Sequence, residues 1–417
     1  MVLGAKKKTP PTFREGYELP DFLRDDAFAL NRQIVASAHS QEQTAERRKE
    51  KRQAFRVKCL VLGALTLVAV VFSLCLNFTS VSSLARTIYD PLSALSSLWN
   101  WAAYELGTVF GFSVFPAGTS LLDVAPLYAS VAPRAGITIA TLVCGAMLAC
   151  AGMLYQAVFR NPIVSPSLLG VTHGSQVGML LIFGGYGAIA YELVPERFLY
   201  GYVGGAVALG AVFLLSKLIT KKGNSTSVFD ILVIGTILSA FLGAVRDYLI
   251  DVLNAVDLWT EFFEYQEGIS IYSDPLTYIV LIVSVIVAFI PVVILRFRLN
   301  LLTFSDGEVR VMGSNPVALR ALSIVAGSLM ILTAQVFVGS ASCFALVIPF
   351  LARYLFGSEF RQQLWGNVLL GMLILTICRI LTSLIPFVGI GLPIGTIAGA
   401  LTLPFFVWAS TLSRKGW

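Results

Sequence analysis

Residues 145–175 read GAMLACAGMLYQAVFRNPIVSPSLLGVTHGS. An apolar run rich in small residues reaches Arg160, the chain turns through Asn161-Pro162, and Pro166 precedes a second apolar run. Proline lacks a backbone N–H and pushes the residue before it out of helical geometry. The pattern therefore predicts two helices joined by a short, sharply defined turn. Each run is long enough to cross a bilayer, which takes about 20 residues of helix.

The rest of the chain is built the same way. Its 417 residues are 56% hydrophobic and only 13% charged, against about 25% charged in soluble domains. No run alternates apolar and polar residues as an outer-membrane barrel strand does. The fold class is all-α integral membrane, with about ten transmembrane helices. The predicted spans are 59–77, 135–159, 168–190, 199–219, 229–249, 275–295, 321–338, 341–352, 364–386 and 392–411. Alternating them puts Arg47, Arg48, Lys49, Arg160, Lys217, Lys221, Lys222, Arg296, Arg298, Arg353, Arg361 and Arg414 on one side. That is the positive-inside bias, and it predicts cytoplasmic N- and C-termini in a multi-pass protein of the cell membrane.

Residues 1–57 form a basic, mixed-charge cytoplasmic tail, and 58–417 the transmembrane domain. An outer segment, 78–130, carries an amphipathic stretch with Trp99, Trp101 and Tyr104, residues that favour the membrane–water interface. A second outer segment, 250–274, is acidic, and Asp257, Glu261 and Glu264 recur on one helical face. The polar segment 299–320 lies inside. Gly339 to Ser342 form a small polar break before the shortest span, and irregular backbone at membrane depth is tolerated only against protein or a water-filled path.

Catalytic signatures are missing from the sequence. It contains no G-x-x-x-x-G-K-[ST] phosphate loop and no G-x-G-x-x-G fingerprint. Its six cysteines all fall inside apolar runs, as small buried hydrophobes, without C-x-x-C or Cys/His ligand spacing, which predicts neither a disulfide nor a metal site. Span interiors offer few carboxylates for a proton relay. The chain reads as a transporter subunit rather than an enzyme, with no cofactor of its own and no nucleic-acid partner.

Four blocks carry a family resemblance. The opening stretch, through Gly145, Gly152, Gln156, Arg160, Asn161, Pro162, Pro166, Leu169, Gly170 and Gly174, resembles the signature of FecCD-type permease subunits of ABC importers for iron–siderophores, haem and cobalamin. GEVRVMGSNPVALR (307–320) resembles the family's coupling segment. GSASCFALVIPFLARYLFGSEFR (339–361) and LPIGTIAGALTLPFFVW (392–408) resemble two further family blocks, in the family's order. The resemblance implies the ABC type II importer permease fold, a homodimer around a central path. It also implies an ATPase subunit dimer that carries ATP and Mg, and an extracellular or periplasmic substrate-binding protein.

Carried over residue by residue, the resemblance makes Gly307, Glu308, Val309, Met312, Gly313, Val317 and Arg320 the surface that meets the ATPase, where Glu308 and Arg320 can make charged contacts across the joint. Path and gate candidates are Gln156, Asn161, Pro162, Thr172, His173, Ser225, Thr226, Ser227, Ser340 and Ser342. Arg134, with Asp257, Glu261 and Glu264, is the candidate docking set for the binding protein. The family's patterns are departed from at Val131, Phe350, Leu384 and Gly391, and His173 stands where the family has a small residue. The rival readings are a secondary transporter, or a membrane scaffold or sensor derived from the same fold.

Overall fold

The computed structural model describes residues 49–50, 52–77, 87–88, 91–110, 128–186, 194–219, 228–252, 275–339, 341, 343–357, 359–384 and 394–413. The chain falls into two compact units, Met1–Lys58 and Cys59–Trp417, and the second carries nearly all of the described structure. Its helices are α1 (Arg52–Cys75), α2 (Pro91–Phe110), α3 (Tyr128–Phe159), α4 (Val171–Tyr186), α5 (Val194–Ile219), α6 (Val228–Val252), α7 (Pro275–Leu295), α8 (Asp306–Val311), α9 (Pro316–Val338), α10 (Phe344–Phe356), α11 (Phe360–Leu384) and α12 (Ile394–Ser413). Among the described residues the remaining regular structure is two 3-10 turns, Pro166–Leu169 and Arg298–Thr303, and a two-residue antiparallel pair in which Leu76 faces Ile88.

Among the described residues six helices are long and apolar enough to cross a membrane, α1, α3, α5, α6, α9 and α11; α7 and α10 contribute shorter apolar stretches. The centre of the bundle is α3, packed along α11, α9 and α10. Small residues make this possible. A Cβ on Gly145 would lie 2.3 Å from the Gly371 carbonyl oxygen, and one on Gly152 only 1.7 Å from that of Ala345. Without a water-driven hydrophobic effect between helices, such backbone approach supplies van der Waals contact instead. Tyr155 is fully buried between these contacts, and its hydroxyl pairs with Ser328 Oγ on α9 at 2.5 Å. A second layer, α4 on α5 and α6, joins α9 through the stacked rings of Phe198 and Phe337, 4.9 Å apart.

Several boundaries differ from the sequence expectation, each for a local reason. The span expected from 168 starts at Val171, because the Pro166–Leu169 turn ends at Gly170 in the left-handed region (φ 73). The span expected from 321 starts at Pro316, because the Asn315 side chain caps it by accepting from Val317 N and Ala318 N. α3 starts at Tyr128, earlier than the expected 135. Cys343, expected to be buried, is exposed just before α10.

Candidate functional site

The turn after α3 is the first polar junction. Arg160 is a non-glycine residue in the left-handed region (φ 50). Arg160 N donates to Ala157 O at 3.3 Å, and Asn161 N to Gln156 O at 3.2 Å, the paired bonds of a Schellman helix end. Glycine usually occupies this position; another residue there costs roughly 1–2 kcal/mol. The arginine is held by its own side chain: Nε donates to Leu302 O at 3.0 Å and Nη2 to Phe304 O. Asn161 Oδ1 accepts from Ile163 N at 3.0 Å, closing an Asx turn in which Asn161 and Pro162 are exposed.

The segment 299–320 lies directly against this turn. Leu299 and Leu302 are buried, and Asn300 Oδ1 accepts from Phe360 N at 3.0 Å. Ser305 then opens α8 with a capping box: its backbone N–H and hydroxyl both donate to Glu308 Oε2 at 2.8 Å, while Glu308 N donates back to Ser305 Oγ. These bonds, the backbone one first, hold the Glu308 carboxyl below its ordinary range. Asp306 accepts two bonds from the Arg320 guanidinium, one of them at 3.0 Å, and lies 3.6 Å from Arg160 Nη2. Of the residues expected to meet a partner, Gly307, Met312, Gly313 and Val317 are exposed. Val309 is buried beneath α8. Glu308 and Arg320 each have a partner inside the chain: one caps its own helix and the other grips Asp306. Val311, which that expectation omitted, is the most exposed apolar residue of the segment at 89%.

A third set of polar groups lies between α4 and α6. Ser239 Oγ donates to Ser167 O at 3.1 Å and pairs with His173 Nδ1 at 3.0 Å. One turn further, Arg246 Nη1 donates to Gln176 Oε1 at 3.1 Å, and the same guanidinium pairs with Asp247. Thr172 is buried, and its hydroxyl has no hydrogen-bond partner among the described residues. The structure thus brings His173 together with Ser239, Gln176, Arg246 and Asp247. Reading by residue type missed the last four, although an Arg-Asp pair inside an apolar run is the signal that should have drawn attention.

Gln156 is part of the packing. It is buried, donates to Leu346 O on α10 at 2.9 Å and accepts from Arg353 at 3.4 Å. Ser225, Thr226, Ser227, Ser340, Ser342, Asp257, Glu261 and Glu264 lie outside the described residues, and Arg134 lies in α3 with its side chain outside the description. Among the described residues, no three His, Cys, Asp or Glu side chains gather as a metal site.

A bundle of long apolar helices centred on one glycine-lined helix defines the class as an integral membrane protein of helical fold. The chain belongs to the FecCD transport family, whose model matches residues 112–411. A probable iron chelatin transport system permease protein of Helicobacter pylori is 32% identical over 277 residues, 65% of this chain and 78% of the relative. The Fe(3+) dicitrate transport system permease protein of Escherichia coli is 28% identical over 273 residues, 63% of this chain and 79% of the relative. A metal-chelate type ABC transporter solved in an inward-facing conformation superposes with a TM-score of 0.65 at 22% identity, covering 87% of this chain and all of that one. This last likeness bears on the fold alone.

Proposed function

We propose that the chain is the membrane subunit of an ATP-driven importer that carries a metal chelate, chelated iron first, into the cytoplasm. It works as a homodimer of ten-span protomers with both termini inside, fed by an external binding protein and driven by a separate ATPase dimer. The observation that carries this reading is the tip of the segment 299–320. Val311 and Met312 stand exposed on a short, capped helix outside the apolar spans, and such apolar groups held out on a rigid polar frame fit a protein partner. The names borne by the relatives, iron chelatin and ferric dicitrate permeases, support the cargo class.

The outer surface of α6 supports a second copy and a wet path. The exposed described side chains of α7 are isoleucine and valine, suited to lipid. On α6, Asp247 and Tyr248 are exposed about one and a half turns inside the helix end, and Asp251 follows. Carboxylates at such depth face protein or water. ATP binding biases a two-state equilibrium of the dimer by binding its two states unequally.

The test is reconstitution of the chain with its ATPase and binding protein in liposomes, using radiolabelled ferric citrate as probe. The expected result is uptake that needs ATP and the ATPase and survives collapse of ion gradients. Uptake driven by an ion gradient without ATP, or failure of any ATPase to co-purify, overturns the reading.

A further inference from the structure

α8 has little to hold it. Its six residues bury one side chain, Val309, and its capping box is internal, because Glu308 folds back on Ser305. What ties it outward is Asp306. One carboxylate oxygen accepts from Arg320 Nη2 and lies 3.6 Å from Arg160 Nη2, while the other accepts from Arg320 Nη1 at 3.0 Å. Arg320 belongs to the second turn of α9 and is largely buried, its side chain 15% exposed. Arg160 ends α3, and its guanidinium also holds the carbonyls of Leu302 and Phe304, the residues that lead into α8. The end of α3, distant in sequence, therefore meets α8 and α9 at a single carboxylate.

The geometry points to Asp306 as the linkage through which force on α8 reaches the membrane helices, with Arg160 and Arg320 as its two anchors. This inference rests on the ATPase-driven reading above and names the positioning residues that reading lacks. A guanidinium fork that takes both oxygens of a carboxylate fixes direction as well as distance. Displacement of α8 is thus passed both to the C-terminal turn of α3 and to the start of α9. Those two helices pack against each other along the bundle centre. Removing the charge of Asp306 leaves two arginines facing each other across its place, while Glu308, whose charge also acts on Arg160, keeps its bonds to Ser305. α8 then keeps its own shape and its exposed tip but loses its hold on the bundle.

The test is hydrogen–deuterium exchange by mass spectrometry on the full permease–ATPase complex, with and without ATP and vanadate; no cargo is needed. In the wild type, nucleotide trapping should change exchange in 306–315, where the partner touches, and also in 157–164 and 316–324. In Asp306→Asn the change in 306–315 should persist while the changes in the other two segments are lost, and Asp306→Glu should restore them. Equal changes at 157–164 in the wild type and in Asp306→Asn overturn the linkage. So does a wild type whose response stops at 306–315. A wild-type complex without response in any of the three segments overturns the ATPase-driven reading itself. Should Asp306→Asn fail to assemble, Arg320→Lys keeps the charge without the fork: loss of the change at 316–324 alone supports the linkage, and an unaltered change overturns it.

Discussion

At the seam between α3 and its neighbours, backbone meets backbone: Gly145 against Gly371, Gly152 against Ala345. In the segment 299–320 the contacts are few, directed and charged: a capping box, a carboxylate between two arginines, an amide on Phe360 N. The first arrangement tolerates almost no displacement, because close packing is lost over a fraction of an ångström. The second fixes direction while leaving the surrounding surface free. One region makes a rigid body and the other makes a handle on it.

The largest effect belongs to the seam. Gly152→Ala sets a methyl group against a carbonyl oxygen that belongs to the backbone, and should cost on the order of 3 kcal/mol, read as a fall in melting temperature in detergent. Gly63→Ala on α1 is the contrast, since nothing lies within 4 Å of its added Cβ. There the sign should reverse, with a gain of roughly 0.5–1 kcal/mol from helix propensity. An unchanged melting temperature for Gly152→Ala would show the seam to be looser than described.

Tyr155→Phe comes next. It leaves Ser328 Oγ buried without its partner and should cost about 1–2 kcal/mol in the same assay. Smaller still is Ser305→Ala, which removes the cap of α8; it should cost about 1 kcal/mol of local helix stability, seen as faster amide exchange in 306–311 without a shift in global melting. The smallest effect is one of pH. The Glu308 carboxyl is held below its ordinary range by Ser305, so its contribution is complete above that range and lost as pH falls through the lowered value. Protection of α8 should therefore weaken in acid relative to Glu308→Gln, which keeps the cap but does not titrate. Parallel acid profiles in the two proteins would remove Glu308 from that role.

Much of this fold is legible from residue order. The apolar runs mark the helices, and Pro162, Pro166 and the left-handed Gly170 mark the turn between α3 and α4. The polar segment is equally visible, as a break in hydropathy flanked by arginines. The partners of its charges are not. Residue type says nothing about which neighbour a charge meets, and Asp306 and Arg160 lie far apart in the chain. Val309 is buried because a helix as short as α8 still turns one face inward, and residue order does not say which. Arg246 and Asp247 were passed over because a window average of hydropathy absorbs one adjacent ion pair.

By itself, the sequence determined that this is a helical membrane protein of one particular family, because burial in lipid demands long apolar runs and leaves them readable. It also marked Arg160 to Gly170 as a turn, since proline and glycine act locally. Only the tertiary structure decided which helices share the seam. Glycine permits close approach without naming its partner, and Gly371 lies more than two hundred residues from Gly145. The structure alone also decided that Arg160, Asp306 and Arg320 meet, because charges attract whatever charge the fold brings near, irrespective of distance along the chain.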